Sequence, residues 1–293
     1  MSNEIGEGDL VLEVGSGDDP CPRADVLVDK YLDESSEMEA NRSLLVDRPL
    51  VIAEGEHLPF RDKSFDFVIA SHVLEHTDNP RRFLKELVRV SRRGYIETPL
   101  ALRERVFDWS FHKWYVYFQR GRIIMIKKTR KSKKFYLGMS ASLRSELYHL
   151  EGSKLLNMCF WWNDNVDFAV VKSEPEQFLI GLDRQLMRLY RARKTNRRYW
   201  IWKLKPLLLA IPTFPRLAIF ARNLIHFAKK RLERKMVQSG TANRKNAIDL
   251  HSLVVCPVCK SDLAFEKSSL QCPGCGGKFR VFQGKIPILT TGD

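Results

Sequence analysis

The sequence predicts an α/β protein built on a doubly wound, mostly parallel sheet, followed by a basic helical segment and a small cysteine-bearing module. Three observations carry this. Short apolar runs ending in acids or glycines alternate with helix-length spacers over the first hundred residues, the pattern of parallel strands joined by crossovers. The first run, LVLEVGSGDDP at 10–20, ends in a glycine turn of the kind that lets a ligand meet bare backbone. Four of the six cysteines stand in two Cys-x-x-Cys pairs, a spacing that suits a metal and not a disulfide framework.

In chain order, Leu10–Val14 reads as a buried strand, apolar without strict alternation. Ala24–Val28 is a second strand, ending at Asp29. Leu50–Ala53 is a third, followed by Glu54-Gly55-Glu56, and Phe65–Ala70 is a fourth, followed by SHVLEH at 71–76. Asn79–Arg93 carries apolar residues at 83, 84, 87, 88 and 90, with Pro80 in an early helical turn and Gly94 expected to close the helix. Tyr95–Thr98 is a fifth strand, stopped by Pro99. In such a sheet the ligand lies beyond the C-terminal strand ends, so Glu13, Gly15, Gly17, Asp29, Glu54, Glu56 and His72 are expected to converge there. Asp66 reads as structural.

With those phrases in view, residues 9–99 resemble class I S-adenosylmethionine-dependent methyltransferases, of the Rossmann-like, type 11 kind. The stretches that carry the likeness are LEVGSG (12–17), LVDKY (27–31), EGEHLPFRDKSFDFVIASHVLEH (54–76) and FLKELVRVSRRGYIETP (83–99). The resemblance implies S-adenosylmethionine as cofactor and a role for each matched position. Glu13 steers the cofactor's amino-acid end or the loop. Gly15 and Gly17 admit the methionine moiety, and Asp29 takes the ribose hydroxyls. Glu54 and the Gly55 amide face the adenine, while His72 lies near the sulfonium and the acceptor. The likeness departs at Asp19, where the family often has a third glycine. It departs again at SHVLEH, which lacks the Asn/Asp-Pro-Pro-aromatic phrase of amide- and adenine-N6-modifying relatives. A base is needed only where the acceptor must lose a proton. His72 and His76 are the catalytic candidates, with Glu75 and His112 as further ones, and capping or packing is the alternative for Glu75 and His76.

Residues 100–175 suggest a hairpin around Gln119-Arg120-Gly121 and a late strand at Asn165–Val171; the resemblance implies a β-hairpin edge to the sheet, which this strand would supply. Trp109, Phe111, Trp114, Tyr115, Tyr117, Trp161 and Trp162 are read as core, some of them walling an acceptor pocket. The basic run Lys127–Lys134 is read as a solvated loop, with contact to an anionic substrate as the alternative.

The full chain of 293 residues has a formal net charge of +14, and sixteen Lys/Arg against one acid stand between Arg184 and Met236. The basic character therefore belongs to one segment. Phe178–Arg191 shows a helical stripe. Residues 199–235 join WIWKLKPLLLAIPTFP to an amphipathic helix with a basic face. Three readings stay open for 176–247: a hairpin packed on the rest, a membrane-surface contact, or a nucleic-acid contact. The apolar content favours packing or lipid over phosphate. The polar start MSNEIGEGD predicts no signal peptide, and no apolar run is long enough to span a bilayer. The expectation is cytoplasmic, and under the membrane-surface reading peripheral at the inner face of the membrane.

Cys256, Cys259, Cys272 and Cys275 form two knuckles able to wrap one structural Zn²⁺ with four thiolates. The stretch DLHSLVVCPVCKSDLAFEKSSLQCPGCGGKFRVFQGKIPIL resembles the zinc-ribbon family that includes the activator subunit of several tRNA-, rRNA- and release-factor methyltransferases. In that family the subunit binds beside a class I methyltransferase; whether this ribbon docks on 1–175 stays open at this point. The expected organisation is 1–175 methyltransferase domain, 176–247 basic helical segment and 248–293 ribbon. The expected function is O-methylation of a small molecule, glycan or lipid-linked acceptor. The alternatives are an RNA or translation-factor methyltransferase, or a non-catalytic cofactor-binding scaffold.

Overall fold

A computed structural model describes residues 4–32, 46–129, 157–172, 177–182, 184, 185, 188, 248–266 and 269–291. The chain forms two compact units, Met1–Glu174 with Asn243–Asp293, and Pro175–Ala242. In the second, residues 177–182 are helical and Leu182 is buried. The expected amphipathic segment 199–235 lies outside the described residues. Among the described residues no helix is long and apolar enough to cross a membrane.

The first unit is organised by β1 (Val11–Val14), β2 (Val26–Asp29), β3 (Leu50–Ile52), β4 (Phe65–Ser71) and β5 (Ser91–Pro99). The first three are buried at every position, which explains why their sequences show apolar runs and not alternation. These strands pair in parallel in the order β3-β2-β1-β4-β5. The order reverses between β1 and β4, and a doubly wound sheet opens its ligand crevice at that switch point. Asp66, read as structural, accepts the Leu10 N–H through Oδ2 at 2.8 Å and so ties β4 to the entry of β1.

Helix α1 (Pro80–Val90) starts as its sequence dictates. Asn79 accepts the Arg82 N–H at its side chain, Pro80 fills the first turn, and Phe83, Leu84, Leu87 and Val90 are buried. Its end corrects the expectation for Gly94. The helix stops at the extended Ser91 and the chain enters β5 at once, so Gly94 lies inside the strand. A Cβ at Gly94 would stand 2.6 Å from the indole of Trp162. The glycine is there for that close approach and not for a helix cap.

The far edge of the sheet also differs from expectation. After α2 (Ala101–Phe107) come β6 (Trp114–Gln119) and β7 (Arg122–Lys127), the expected hairpin with Arg120 and Gly121 at positive φ in its turn. The edge of the main sheet is β8 (Asn157–Asn163), antiparallel to β5. The expected late strand is β9 (Phe168–Val171), which pairs in parallel with β7 in a separate three-stranded sheet. Of the aromatics read as core, Trp114, Tyr115 and Trp162 are buried, whereas Phe111 and Trp161 are exposed. Lys128, read as solvated, is half-buried and ion-paired to Glu104 at 2.6 Å and Asp108 at 2.8 Å. Residues 130–134 of that basic run lie outside the described residues.

The cysteine module contains a short helical turn (Leu250–Leu253) and strands β10 (Ala264–Phe265), β11 (Ser269–Gln271), β12 (Lys278–Phe282) and β13 (Ile286–Ile288). It lies in the same compact unit as the main sheet and extends it. Strand β13 pairs in parallel with β3 at Ile288 and Ile52, giving ten strands in one sheet among the described residues, and the Leu289 N–H donates to the Ile52 carbonyl at 2.7 Å. On the neighbouring segment, Val255 N–H donates to Pro59 O and Arg61 N–H to Leu253 O. Lys260 reaches Leu58 O at 3.0 Å and Glu86 at 3.1 Å. Val254, Leu263, Leu270, Phe279 and Leu289 join the same buried cluster as Leu58, Phe60 and Phe83, so the two parts share a core.

Candidate cofactor and methyl-transfer site

At the C-terminal end of β1 the chain turns through Gly15 and Gly17, both at positive φ. Gly15 donates its N–H to Val28 O at 2.8 Å, and a Cβ there would fall 2.3 Å from Cγ2 of Val73. A side chain at Gly15 is therefore excluded by both conformation and space. Gly17 is held differently: its N–H donates to Oδ2 of Asp29 at 2.9 Å, and the space beside it is open. Oδ1 of Asp29 accepts the N–H of Lys30 at 2.8 Å and of Tyr31 at 3.4 Å. One carboxylate at the end of β2 thus fixes both the glycine turn and the next turn. Burial raises its pKa above the ordinary aspartate value, against those three donors.

Glu13 is buried, and its Oε2 accepts the Cys21 N–H at 2.7 Å, tying β1 to the far end of the loop. Desolvation pushes its pKa up to about 7, opposed by the Cys21 hydrogen bond and the charge of Arg48. The folded state therefore holds this proton more tightly than the unfolded chain, and the ionised form weakens the fold progressively as pH rises from about 4.5 to about 7. Glu13→Gln keeps an acceptor for Cys21 and removes the titration. Its stability relative to the parent is expected to grow by about 3 kcal/mol between pH 4 and pH 8, measured as urea midpoints at both pH values. A constant difference across that range would remove Glu13 as the titrating group.

Glu54 lies at the end of β3, where Oε2 accepts the Thr291 hydroxyl at 2.9 Å and Oε1 stands 3.7 Å from Lys30 Nζ. Gly55 starts a 3-10 turn (Gly55–His57), and a Cβ there would lie 2.6 Å from the Phe83 ring. Its small size lets the turn pack on α1. Glu56 accepts the N–H groups of Asp78 and Asn79, bracing the loop after β4.

That loop begins with His72, at φ 57°. Its Nδ1 lies 3.3 Å from Oε1 of Glu75, and its Nε2 lies 3.3 Å from Nδ2 of Asn157. Glu75 is an acceptor and the Asn157 amide a donor, so the proton belongs on Nδ1 and the lone pair on Nε2. Asn157 also donates to Oε1 of Glu97 at 2.7 Å and accepts from Arg103. His76 is placed elsewhere: its ring stacks on Phe111 and meets His112 edge-on. Sequence reasoning missed Glu97, Asn157 and Arg103. Glu97 stands near a strand end and obeys the same edge rule that located His72. Asn157 arrives on β8 from 85 residues away in sequence, and no local pattern marks it.

The four cysteine sulfurs lie within 4.8 Å of one another. Cys256 and Cys275 Sγ are 3.6 Å apart, and Cys259 and Cys272 Sγ 3.4 Å. Tetrahedral thiolates at about 2.3 Å from Zn²⁺ would be about 3.8 Å apart, so the set fits a closed structural ion.

Two stretches of the chain are similar to known families. Residues 27–96 match the family described as methyltransferase domain, and residues 248–284 match the Trm112p-like proteins. Two uncharacterized proteins of Methanocaldococcus jannaschii are similar to parts of the chain. MJ1123 is 47% identical over 45 residues (15% of this chain, 22% of that protein), and MJ1252 is 35% identical over 91 residues (31% and 36%). The chain thus spans about a fifth and about a third of these relatives. Among solved structures, an S-adenosylmethionine-dependent methyltransferase of Thermotoga maritima is 24% identical, covering 35% of this chain and 49% of that one, with a TM-score of 0.26. The complex of the Haloferax volcanii Trm112 methyltransferase activator with a methyltransferase is 16% identical, covering 55% and 84%, with a TM-score of 0.35. Residues 27–96 are thus similar to the methyltransferase domain family, whose cofactor is S-adenosylmethionine. Residues 248–284 of the same chain are similar to the Trm112p-like proteins and carry the four-cysteine cluster.

Proposed function

We propose that this protein is an O-methyltransferase acting on a small molecule, glycan or lipid-linked acceptor. The observation that carries the reading is the group around His72 at the switch-point edge, where Nε2 offers a lone pair beside Asn157 and Glu97. Bound S-adenosylmethionine would supply an electrophilic methyl group on a sulfonium. The Gly15–Gly17 backbone, Asp29 and Glu54 are the residues proposed to hold it, the first because no Cβ intrudes and the second because a carboxylate suits a vicinal diol. An acceptor hydroxyl that displaces the Asn157 amide from His72 Nε2 gives its proton to that nitrogen, and Glu75 holds the imidazole through Nδ1. Phe107 stacks on Trp109, whose ring tilts against His112, and Phe111 meets His112 edge-on; this aromatic wall favours a compact acceptor over a nucleic-acid duplex. His76 belongs to that wall and is not assigned the proton transfer.

The test is transfer of labelled methyl to fractionated cell extracts. Label is expected in the small-molecule, glycan or lipid fraction, with kcat lowered about 100-fold or more in His72→Ala and cofactor affinity unchanged. Label confined to RNA or protein would overturn the acceptor class, and unaltered turnover in His72→Ala would overturn its role. The same fractionation locates the protein: the full chain is expected with membranes and the chain lacking 176–247 without them. Equal recovery would exclude membrane contact through 199–235.

A further inference from the structure

Beside His72 lies a second group of metal-ligand side chains. One ligand atom each from Glu75, His76 and His112 falls within 4.8 Å of the others. Glu75 is 1% exposed; Oε1 faces His72, while Oε2 is buried with no hydrogen-bond partner. An unpaired buried carboxylate oxygen is expensive to leave alone, and this one belongs to a residue of the group. The His76 imidazole has ring contacts and no hydrogen bond among the described residues. His112 is 8% exposed, and its Nδ1 donates to Glu104, which Lys128 anchors at 2.6 Å. That leaves Nε2 of His112 as the free ring nitrogen. A carboxylate behind a histidine is how ligating imidazoles are oriented and made more basic.

Two contacts set the group in place before any ion enters. The Lys113 N–H donates to Glu75 O at 2.7 Å, and the Trp114 indole N–H donates to Thr77 O at 2.7 Å. These join the loop after β4 to the segment between α2 and β6. The ligands would draw together by about an ångström around an ion at about 2.1 Å, and the half-buried His76 ring is the part free to move.

We propose that Glu75, His76 and His112 bind a divalent transition ion of the Zn²⁺ class, separate from the ribbon's ion. Two imidazole nitrogens and one carboxylate oxygen suit Zn²⁺, and three protein ligands leave one coordination position open. Glu75 would then serve two partners, with Oε1 on His72 and Oε2 on the ion. Glu104 is a positioning residue that acts through His112.

The test is metal content, independent of turnover. The full chain, stripped with chelator and reloaded with Co²⁺, is expected to hold two ions. One shows the thiolate charge-transfer band of the ribbon, and the other adds only nitrogen/oxygen ligand-field bands. His76→Ala, the substitution that disturbs the fewest contacts, and Glu75→Gln are each expected to lose the second ion and keep the thiolate band, which reports that the unit is still folded. Glu104→Gln is expected to weaken the second ion about 10- to 100-fold without changing its spectrum. One ion in the parent chain, or two retained in both His76→Ala and Glu75→Gln, would overturn the site.

Discussion

Replacing Cys272 by Ser is expected to lower the unfolding midpoint of the whole first unit, not that of the ribbon alone. The cysteines hold a module with little core of its own, and structural zinc supplies most of the folding free energy of such modules. Here that module is also the edge of the main sheet, through β13 on β3 and Leu289 on Ile52. Its side chains sit in the same cluster as Phe60 and Phe83. Releasing the metal would uncover β3 and expose that shared apolar surface. A loss of about 5 kcal/mol is expected, or about 10–20 °C in a unit of this size. A single calorimetric transition shifted downward is the expected result. Two transitions, with the larger unmoved, would show that the sheet stands without the ribbon.

Asp29→Ala is expected to weaken S-adenosylmethionine binding by about 1,000-fold, or about 4 kcal/mol. The carboxylate is proposed to meet the ribose, and it already accepts the N–H groups of Gly17, Lys30 and Tyr31. Alanine leaves those donors without their acceptor, at about 1–3 kcal/mol for each one that stays buried, and frees the turn that must stay bare. Asp29→Asn keeps one carbonyl oxygen and is expected to fall between the two. Calorimetric titration with the cofactor reads all three proteins, and binding by Asp29→Ala within threefold of the parent would remove Asp29 from the site.

The ends of β1 to β4 were legible because each apolar run is short, buried on both faces and punctuated by a glycine or an acid. The cysteine spacing was legible for a similar reason, since four soft ligands at short intervals have few other uses. Gly94 shows the limit. A glycine after a helical stripe reads as a cap, and only the indole of Trp162, arriving on β8, reveals the close approach that requires it. The same holds for β9, whose short apolar run says that it is a strand but not which sheet receives it.

What the sequence by itself determined is the doubly wound sheet, the bare turn at Gly15 and Gly17, the carboxylate at Asp29 and the four-thiolate module. These rest on local periodicity and short spacings, which a linear reading contains. What the tertiary structure decided is which distant groups meet. It joined the ribbon to β3 and brought Asn157 to His72. It also gathered Glu75, His76 and His112 around an unpaired oxygen. Those juxtapositions are products of strand order and shared core, and strand order is set by how all the elements bury their apolar faces together, which no single stretch of the chain encodes.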